Sequence, residues 1–237
     1  MNNDMLVVDR IRYQYEKEWF EFSLSVEKGD IVALIGPSGS GKSTLLSLLA
    51  GFISPKSGDI KINGKSIDSL PVYERPFSVL FQEYNLFPHL SVRQNIGLGL
   101  HPGLKLTKDQ WAEINNAALQ VGIVELLDKM PDQLSGGQKQ RAALSRCFVQ
   151  NRAIWLLDEP FSALDPVIRS EMLQLVKMLA KKKNATVIMV THHIPDACKI
   201  ANKYAFLDDN CILEHGVISE LTIHHENPLL SGFLSVD

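Results

Sequence analysis

Long apolar runs are missing from this sequence. Nothing in its 237 residues approaches the roughly 18–20 consecutive apolar positions that a membrane-spanning helix needs, so a membrane role is expected only through a partner. Cysteine is scarce: Cys147, Cys198 and Cys211 are widely spaced, odd in number and without a C-x-x-C pair. That pattern argues against a disulfide framework or a thiolate metal site, and predicts free thiols in a reducing compartment. Positive charge is not in excess either, and a net charge of −3 leaves no electrostatic footprint for nucleic acid. The opening Met1, Asn2, Asn3 and Asp4 lack the basic and apolar regions of a signal peptide. There is no internal repeat, heptad run or low-complexity tract, which argues against solenoid and coiled-coil architectures. What remains is 45% hydrophobic and 22% charged, ordinary globular stock with chain enough for one large domain or two small ones.

Against that plain background, Gly36, Pro37, Ser38, Gly39, Ser40, Gly41, Lys42, Ser43 and Thr44 read G-x-x-x-x-G-K-S-T. The apolar run 31–35 precedes them, and the helix-forming run 44–50, stopped by Gly51, follows. Strand, glycine-rich loop and helix form the context of a phosphate-binding loop. Triphosphate oxygens are negative and need many donors converging on them. Glycines let backbone N–H groups turn inward, and the helix N-terminus adds its positive end. Lys42 is expected to reach the outer phosphates as a point charge, and Ser43 to place its hydroxyl on Mg2+.

Upstream, residues 5–13 suggest a strand, and 20–26 alternate apolar and polar as a second strand with one wet face. Between them lie Tyr13, Tyr15 and Trp19. A ring here can stack on an adenine base; Tyr15 is the first choice and Tyr13 the second, with ordinary strand packing as the other reading. Downstream, 59–65 is a strand with an Asn-Gly hairpin signal. These strands imply a small antiparallel sheet beside the nucleotide core. Residues 77–81 are a further apolar strand with Gln82 at its end, the edge where parallel sheets carry ligands. Gln82 can there reach Mg2+ or an attacking water, or else be a solvated loop residue.

From 83 to 134 the texture turns helical, over 92–98, 108–121 and 123–127, like an insertion in an α/β core. Trp111, Ile114, Ala118 and Val121 form an amphipathic stripe read as core. Ser135, Gly136, Gly137 and Gln138 then open a helix to about Gln150; a serine cap and two glycines leave its first N–H groups bare, a second anion site. Residues 152–160 read as a buried strand ending in two acids, Asp158 and Glu159. Asp158 suits the Mg2+ shell, and Glu159 can orient the attacking water or take its proton. Asp165 and Pro166 start another helix, with Ile168, Met172, Leu175 and Leu179 as its expected buried stripe and Lys181 to Asn184 as its end. Residues 186–191 are a strand, followed by His192 and His193. His192 is the choice for a γ-phosphate sensor, and His193 is expected to be a solvated loop residue. A hairpin about 208–210 and one short helix within 218–233 close the reading.

These elements, in this order, resemble the ATP-binding subunit of ATP-binding-cassette (ABC) transporters over nearly the whole chain. The likeness is carried by a Walker A loop (36–44), a Q-loop glutamine (Gln82), a signature motif (134–138), a Walker B strand (154–159), a D-loop (162–165) and a switch histidine (His192). It implies an α/β fold: a P-loop NTPase core with a mainly parallel sheet, a small N-terminal antiparallel β subdomain and an inserted α-helical subdomain. The core would take residues 1–82 and 135–237, and the helical subdomain 83–134. It further implies ATP and Mg2+ as ligands, and a head-to-tail homodimer with two ATPs at the interface. Each ATP would sit between the Walker A loop of one copy and the signature motif of the other. The helical insertion would dock on an integral membrane permease at the cytoplasmic face of a bacterial inner membrane, fed by a periplasmic solute-binding protein. Residues 81–90 resemble the importer branch. Residues 95–106, and the short chain, are similar to importers of thiamine and thiamine pyrophosphate, by analogy alone. Importers of sulfate, polyamine or iron, a soluble ABC ATPase acting on nucleic acid or ribosomes, and a P-loop kinase are the rival readings. The last leaves 135–138 unexplained.

Overall fold

The computed structural model describes residues 4–83 and 85–235. Met1 to Asn3, on which the leader reading rests, and Tyr84, within the importer-like stretch, lie outside the described residues.

β1 (Asp4–Tyr15) and β2 (Glu18–Glu27) form a long antiparallel pair. In β2, Phe20, Phe22, Leu24 and Val26 are buried and the residues between them exposed, the period of two that its sequence announces. β3 (Ile31–Ile35) is buried at all five positions and leads into α1 (Lys42–Ala50). β4 (Ser57–Ile62) and β5 (Lys65–Ser66) turn about Asn63 and Gly64, both at positive φ, as a tight two-residue hairpin loop requires. β6 (Phe77–Leu80) precedes α2 (Val92–Gly97) and α3 (Lys108–Gln120), each opened by a reciprocal capping box. α4 (Gly136–Val149) and β7 (Ile154–Asp158) follow, then α5 (Pro166–Lys183), capped by Asp165 as expected. β8 (Thr186–Val190), α6 (Ile194–Ile200), β9 (Lys203–Asp208), β10 (Cys211–Val217) and α7 (Pro228–Leu234) complete the order.

Among the described residues ten strands join one sheet in the order β5-β4-β1-β2-β10-β9-β3-β8-β7-β6. β9, β3, β8, β7 and β6 run parallel, and β3, β7 and β8 are buried throughout because helices cover both faces. The antiparallel strands meet this core at a thin seam: β2 and β10 register at Glu21 and Cys211, beside the Glu21 N–H donating to the Asn210 carbonyl at 3.0 Å. α2 and α3 pack on α4, and their apolar faces share one continuous core with β7, β8 and α5. Ile114, Ala118 and Val121 are buried there and Trp111 is half-buried, so the stripe is core. On α5 the buried face is set by Met172, Leu173, Val176 and Leu179, while Ile168 and Leu175 are half-buried at its margin. All three cysteines are free; burial pushes the Cys147 thiol up to about 12, an unreactive group. Among the described residues no helix is long and apolar enough to cross a membrane.

Candidate functional site

Four parallel strands deliver the site. β3 and β7 both pair with β8, Leu34 and Asp158 each opposite Val190, and Leu80 of β6 pairs with Leu157 of β7. Their C-terminal ends are therefore level, and the segments that follow them, 36–41, 81–83, 159–164 and 191–193, emerge side by side on one edge.

After β3 the chain folds into a cradle. Gly36 sits at φ +143, and a Cβ there would collide with the Leu207 carbonyl oxygen, so only glycine fits. Gly41, at φ +92, caps α1; a Cβ on it would press on Phe20 and Phe22 of β2. The tip of the antiparallel pair thus leans on the loop. Lys42 is 8% exposed, and its ammonium donates to the Gly36 and Pro37 carbonyls at 2.8 and 2.7 Å and to Ser40 Oγ at 3.3 Å. Burial lowers its pKa, against the attraction of Glu159 and Asp158.

Asp158 is 7% exposed at the end of β7. Burial raises its pKa, opposed by a hydrogen bond from Ser43 and the charge of Lys42 and assisted by the neighbouring Glu159. Asp158 and Ser43 are hard oxygen donors within hydrogen-bond reach of each other. A buried carboxylate held above its usual range is relieved by a cation, and one carboxylate with one hydroxyl is the donor set Mg2+ accepts when phosphates complete its shell. The residues present fit a Mg2+–nucleotide.

Glu159 holds an uncommon backbone, φ +46, in the left-handed region. Its N–H donates to the Val190 carbonyl at 3.1 Å, and its carboxylate Oε1 lies 3.3 Å from His192 Nδ1. Glu159, Ser162, Thr191 and His192 line one shallow recess. A carboxylate and an imidazole converging beside a phosphate cradle can orient and deprotonate a water. His193 is exposed, as expected of a solvated residue; its Nδ1 also meets the buried Asp196 at 3.0 Å, and its N–H donates to Thr191 Oγ1 at 3.1 Å. Gln82 is exposed, two residues past Leu80 and so level with Glu159 on the neighbouring strand.

Tyr15 is 60% exposed at the end of β1, whereas Tyr13 is packed on Phe20, ring centroids 6.0 Å apart, and Phe20 in turn touches Gly41. Residues two apart on a strand share a face, so Tyr15 projects on the cradle side with its ring uncommitted. Trp19 is held by the Arg12 guanidinium, 5.1 Å above its ring. At α4, Ser135 Oγ accepts from the Gln138 N–H at 3.3 Å, and Gln138 Oε1 accepts from the Ser135 N–H at 2.9 Å. Ser135 and Gly136 are exposed. The cap satisfies two donors and leaves the Gly136 and Gly137 N–H groups at a helix end that carries partial positive charge. The sequence reading did not single out Gln140, fully buried, which donates from Nε2 to the Glu159 carbonyl at 3.2 Å and accepts at Oε1 from the Ala163 N–H at 3.3 Å. The sole signal in the sequence was a glutamine on the inward face of an otherwise apolar helix stripe.

The ABC transporter family model matches residues 20–162. The chain is similar to the thiamine import ATP-binding protein of Vibrio cholerae, 60% identical over 98% of this chain and 97% of that protein. It is also similar to the Escherichia coli K12 protein of the same name, 49% identical over 92% and 94%. Among solved structures, an ATP-binding cassette determined as a dimer in a post-hydrolysis state with ADP and Pi matches at TM-score 0.82 and 27% identity, over 90% of this chain and 99% of that one. The cbiO1 protein of Clostridium perfringens, part of the ABC transporter complex cbiONQ, matches at TM-score 0.81 and 28% identity, over 92% and 90%. With the glycine-rich loop before α1, the buried acid at the end of β7 and the capped start of α4 in place, this chain belongs to the ABC transporter family.

Proposed function

We propose that this chain is the ATP-hydrolysing subunit of a membrane importer for thiamine or thiamine pyrophosphate. Lys42 exchanges loop oxygens for the outer phosphates of ATP, with the 36–44 backbone around them. Ser43 and Asp158, with Gln82 beside them, would hold Mg2+, which would supply positive charge to neutralise the phosphates. Glu159 orients the attacking water or takes its proton; His192, 3.3 Å from Glu159, senses the γ-phosphate. Tyr15 stacks on the adenine.

The first turn of α4 completes the site of a second copy. Its exposed N–H groups and the Ser135 hydroxyl take the γ-phosphate bound by the partner, so ATP joins two copies and hydrolysis releases them. Residues 83–134 form the helical lobe that docks on an integral permease at the cytoplasmic face of the inner membrane, with a periplasmic solute-binding protein upstream. Residues 1–82 and 135–237 form the nucleotide-binding lobe. Nucleic acid has no part in this reading. The observation that carries the solute assignment is identity of 49–60%, sustained over more than nine-tenths of the chain, to proteins named for thiamine import.

Uptake of labelled thiamine tests it in cells lacking this chain. Uptake is expected to be lost, to return with the wild-type gene and to stay lost with Glu159→Gln. Undiminished thiamine uptake alongside loss of sulfate, polyamine or iron uptake would overturn the solute assignment.

A further inference from the structure

We infer that Gln140 is a positioning residue that locks the signature helix α4 to the Glu159 backbone, so that the two ATP sites of the dimer are set together. This rests on the two-copy reading above and extends it. Glutamine is usually exposed, and burying an amide without partners is costly. Gln140 is 0% exposed, yet both ends of its amide are used, and both partners lie on one short segment. The donor end goes to the Glu159 carbonyl and the acceptor end to the Ala163 N–H.

The segment it grips needs holding. Glu159 adopts φ +46, a conformation non-glycine residues avoid unless their surroundings impose it. Three donors converge on its carbonyl oxygen: Gln140 Nε2 at 3.2 Å, Ser162 Oγ at 3.2 Å and the Ser162 N–H at 3.4 Å. The two from Ser162 are local to the turn; the one from Gln140 comes from another element. One turn earlier on the same helix face, a Cβ on Gly137 would lie 3.2 Å from the Ala163 carbonyl oxygen and 3.1 Å from Leu164 Cδ2. α4 therefore seats on the 159–164 segment at two points, a tight backbone approach at Gly137 and an amide clamp at Gln140.

The next residue faces the other way. Arg141 Nη1 donates to the Val121 and Gly122 carbonyls at 3.1 and 3.0 Å, at the end of α3. Neighbouring side chains on α4 thus hold the helical lobe on one side and the Glu159 segment on the other. A shift of α4, whose first turn serves the partner's ATP, must carry the Glu159 segment with it while the Gln140 clamp is intact.

The test uses the full chain with ATP and Mg2+. Gln140→Met keeps the length and removes both hydrogen bonds. Gln140→Glu keeps the acceptor for Ala163 but puts a carboxylate oxygen against the Glu159 carbonyl, and stands in should the methionine variant fold poorly. The expected result is a fall in kcat of about tenfold or more, since small displacements of a reacting group are expensive in rate. KM for ATP should stay within about twofold, and the Hill coefficient should drop from near 2 toward 1. A variant that melts earlier but keeps wild-type kcat and Hill coefficient would reduce Gln140 to a packing residue and overturn the inference. A wild type that shows neither cooperativity nor an ATP-dependent dimer would instead sink the two-copy reading beneath it.

Discussion

The two helix starts proposed to bind phosphate are built in opposite ways. At α1 the polar groups turn inward: Lys42 is buried, and its ammonium is satisfied by three oxygens of its own loop. At α4 the first turn faces outward. Ser135 and Gly136 are exposed, and the hydrogen bonds of Ser135 and Gln138 stay within the capping box. A buried charge can grip a nucleotide unaided, because its surroundings are already desolvated and its geometry is set. An exposed helix start has little hold on an anion in water, and gains it only when a second surface closes over it. In the proposed reading one sequence therefore carries a strong half-site and a weak one, the weak one completed by the strong half of another copy.

That contrast can be broken at either end. Lys42→Ala removes the buried cation and should weaken ATP binding most, by about 2–5 kcal/mol or some 30-fold and more, as for other buried charged partners; equilibrium titration with ATP measures it, and unchanged affinity would count against the cradle. Ser135→Arg should leave ATP binding to the monomer within about twofold while cutting turnover at least about tenfold. Ser135→Asp preserves a good N-cap but opposes the phosphate by charge, and should act the same way. Normal ATP-driven association in both variants would defeat the composite site.

On stability, a smaller effect is expected at Asp158. Its raised pKa means that folding favours the protonated form, a benefit complete below the ordinary aspartate range and lost as pH rises through the raised value. At neutral pH the buried carboxyl therefore costs stability. Asp158→Asn should raise Tm without nucleotide, by about 2–4 °C for each kcal/mol relieved, while abolishing hydrolysis; the Tm difference should shrink in acid. A lower Tm at pH 7 would contradict this. The smallest effect falls on the exposed ring: Tyr15→Ala should raise KM for ATP about fivefold, from roughly 1 kcal/mol of base stacking. Tyr13→Ala, which unpacks Phe20, should instead lower Tm with little change in KM.

What could be read before the structure was local. The Asn63-Gly64 hairpin, the alternation of β2, the Asp165 cap and the strand–loop–helix at 31–50 each depend on neighbours a few residues away. Their spacing carries the geometry. What escaped was set by distance along the chain. Gln140 finds its partners 19 and 23 residues onward. β3 lies between β8 and β9, strands that begin more than 150 residues later. α6 is only seven residues, with Pro195 in its first turn, too short to show a period. On α5 the facing elements select Leu173 and Val176 over Ile168 and Leu175, and helical spacing alone cannot choose between adjacent stripes. The site residues stood out because glycine, lysine and paired acids are chemically conspicuous; the residue that ties two of them together is an unremarked amide.

The central claim, that two copies enclose ATP which neither completes alone, is open to one direct measurement. Glu159→Gln should keep ATP and lose the group that activates water, so turnover should fall by about 10²-fold or more. Light scattering on that variant, with ATP and Mg2+, should report twice the mass of the 237-residue chain, returning to a single mass with ADP or with Ser135→Arg added. A variant that holds ATP tightly and stays at the mass of one chain would contradict the claim.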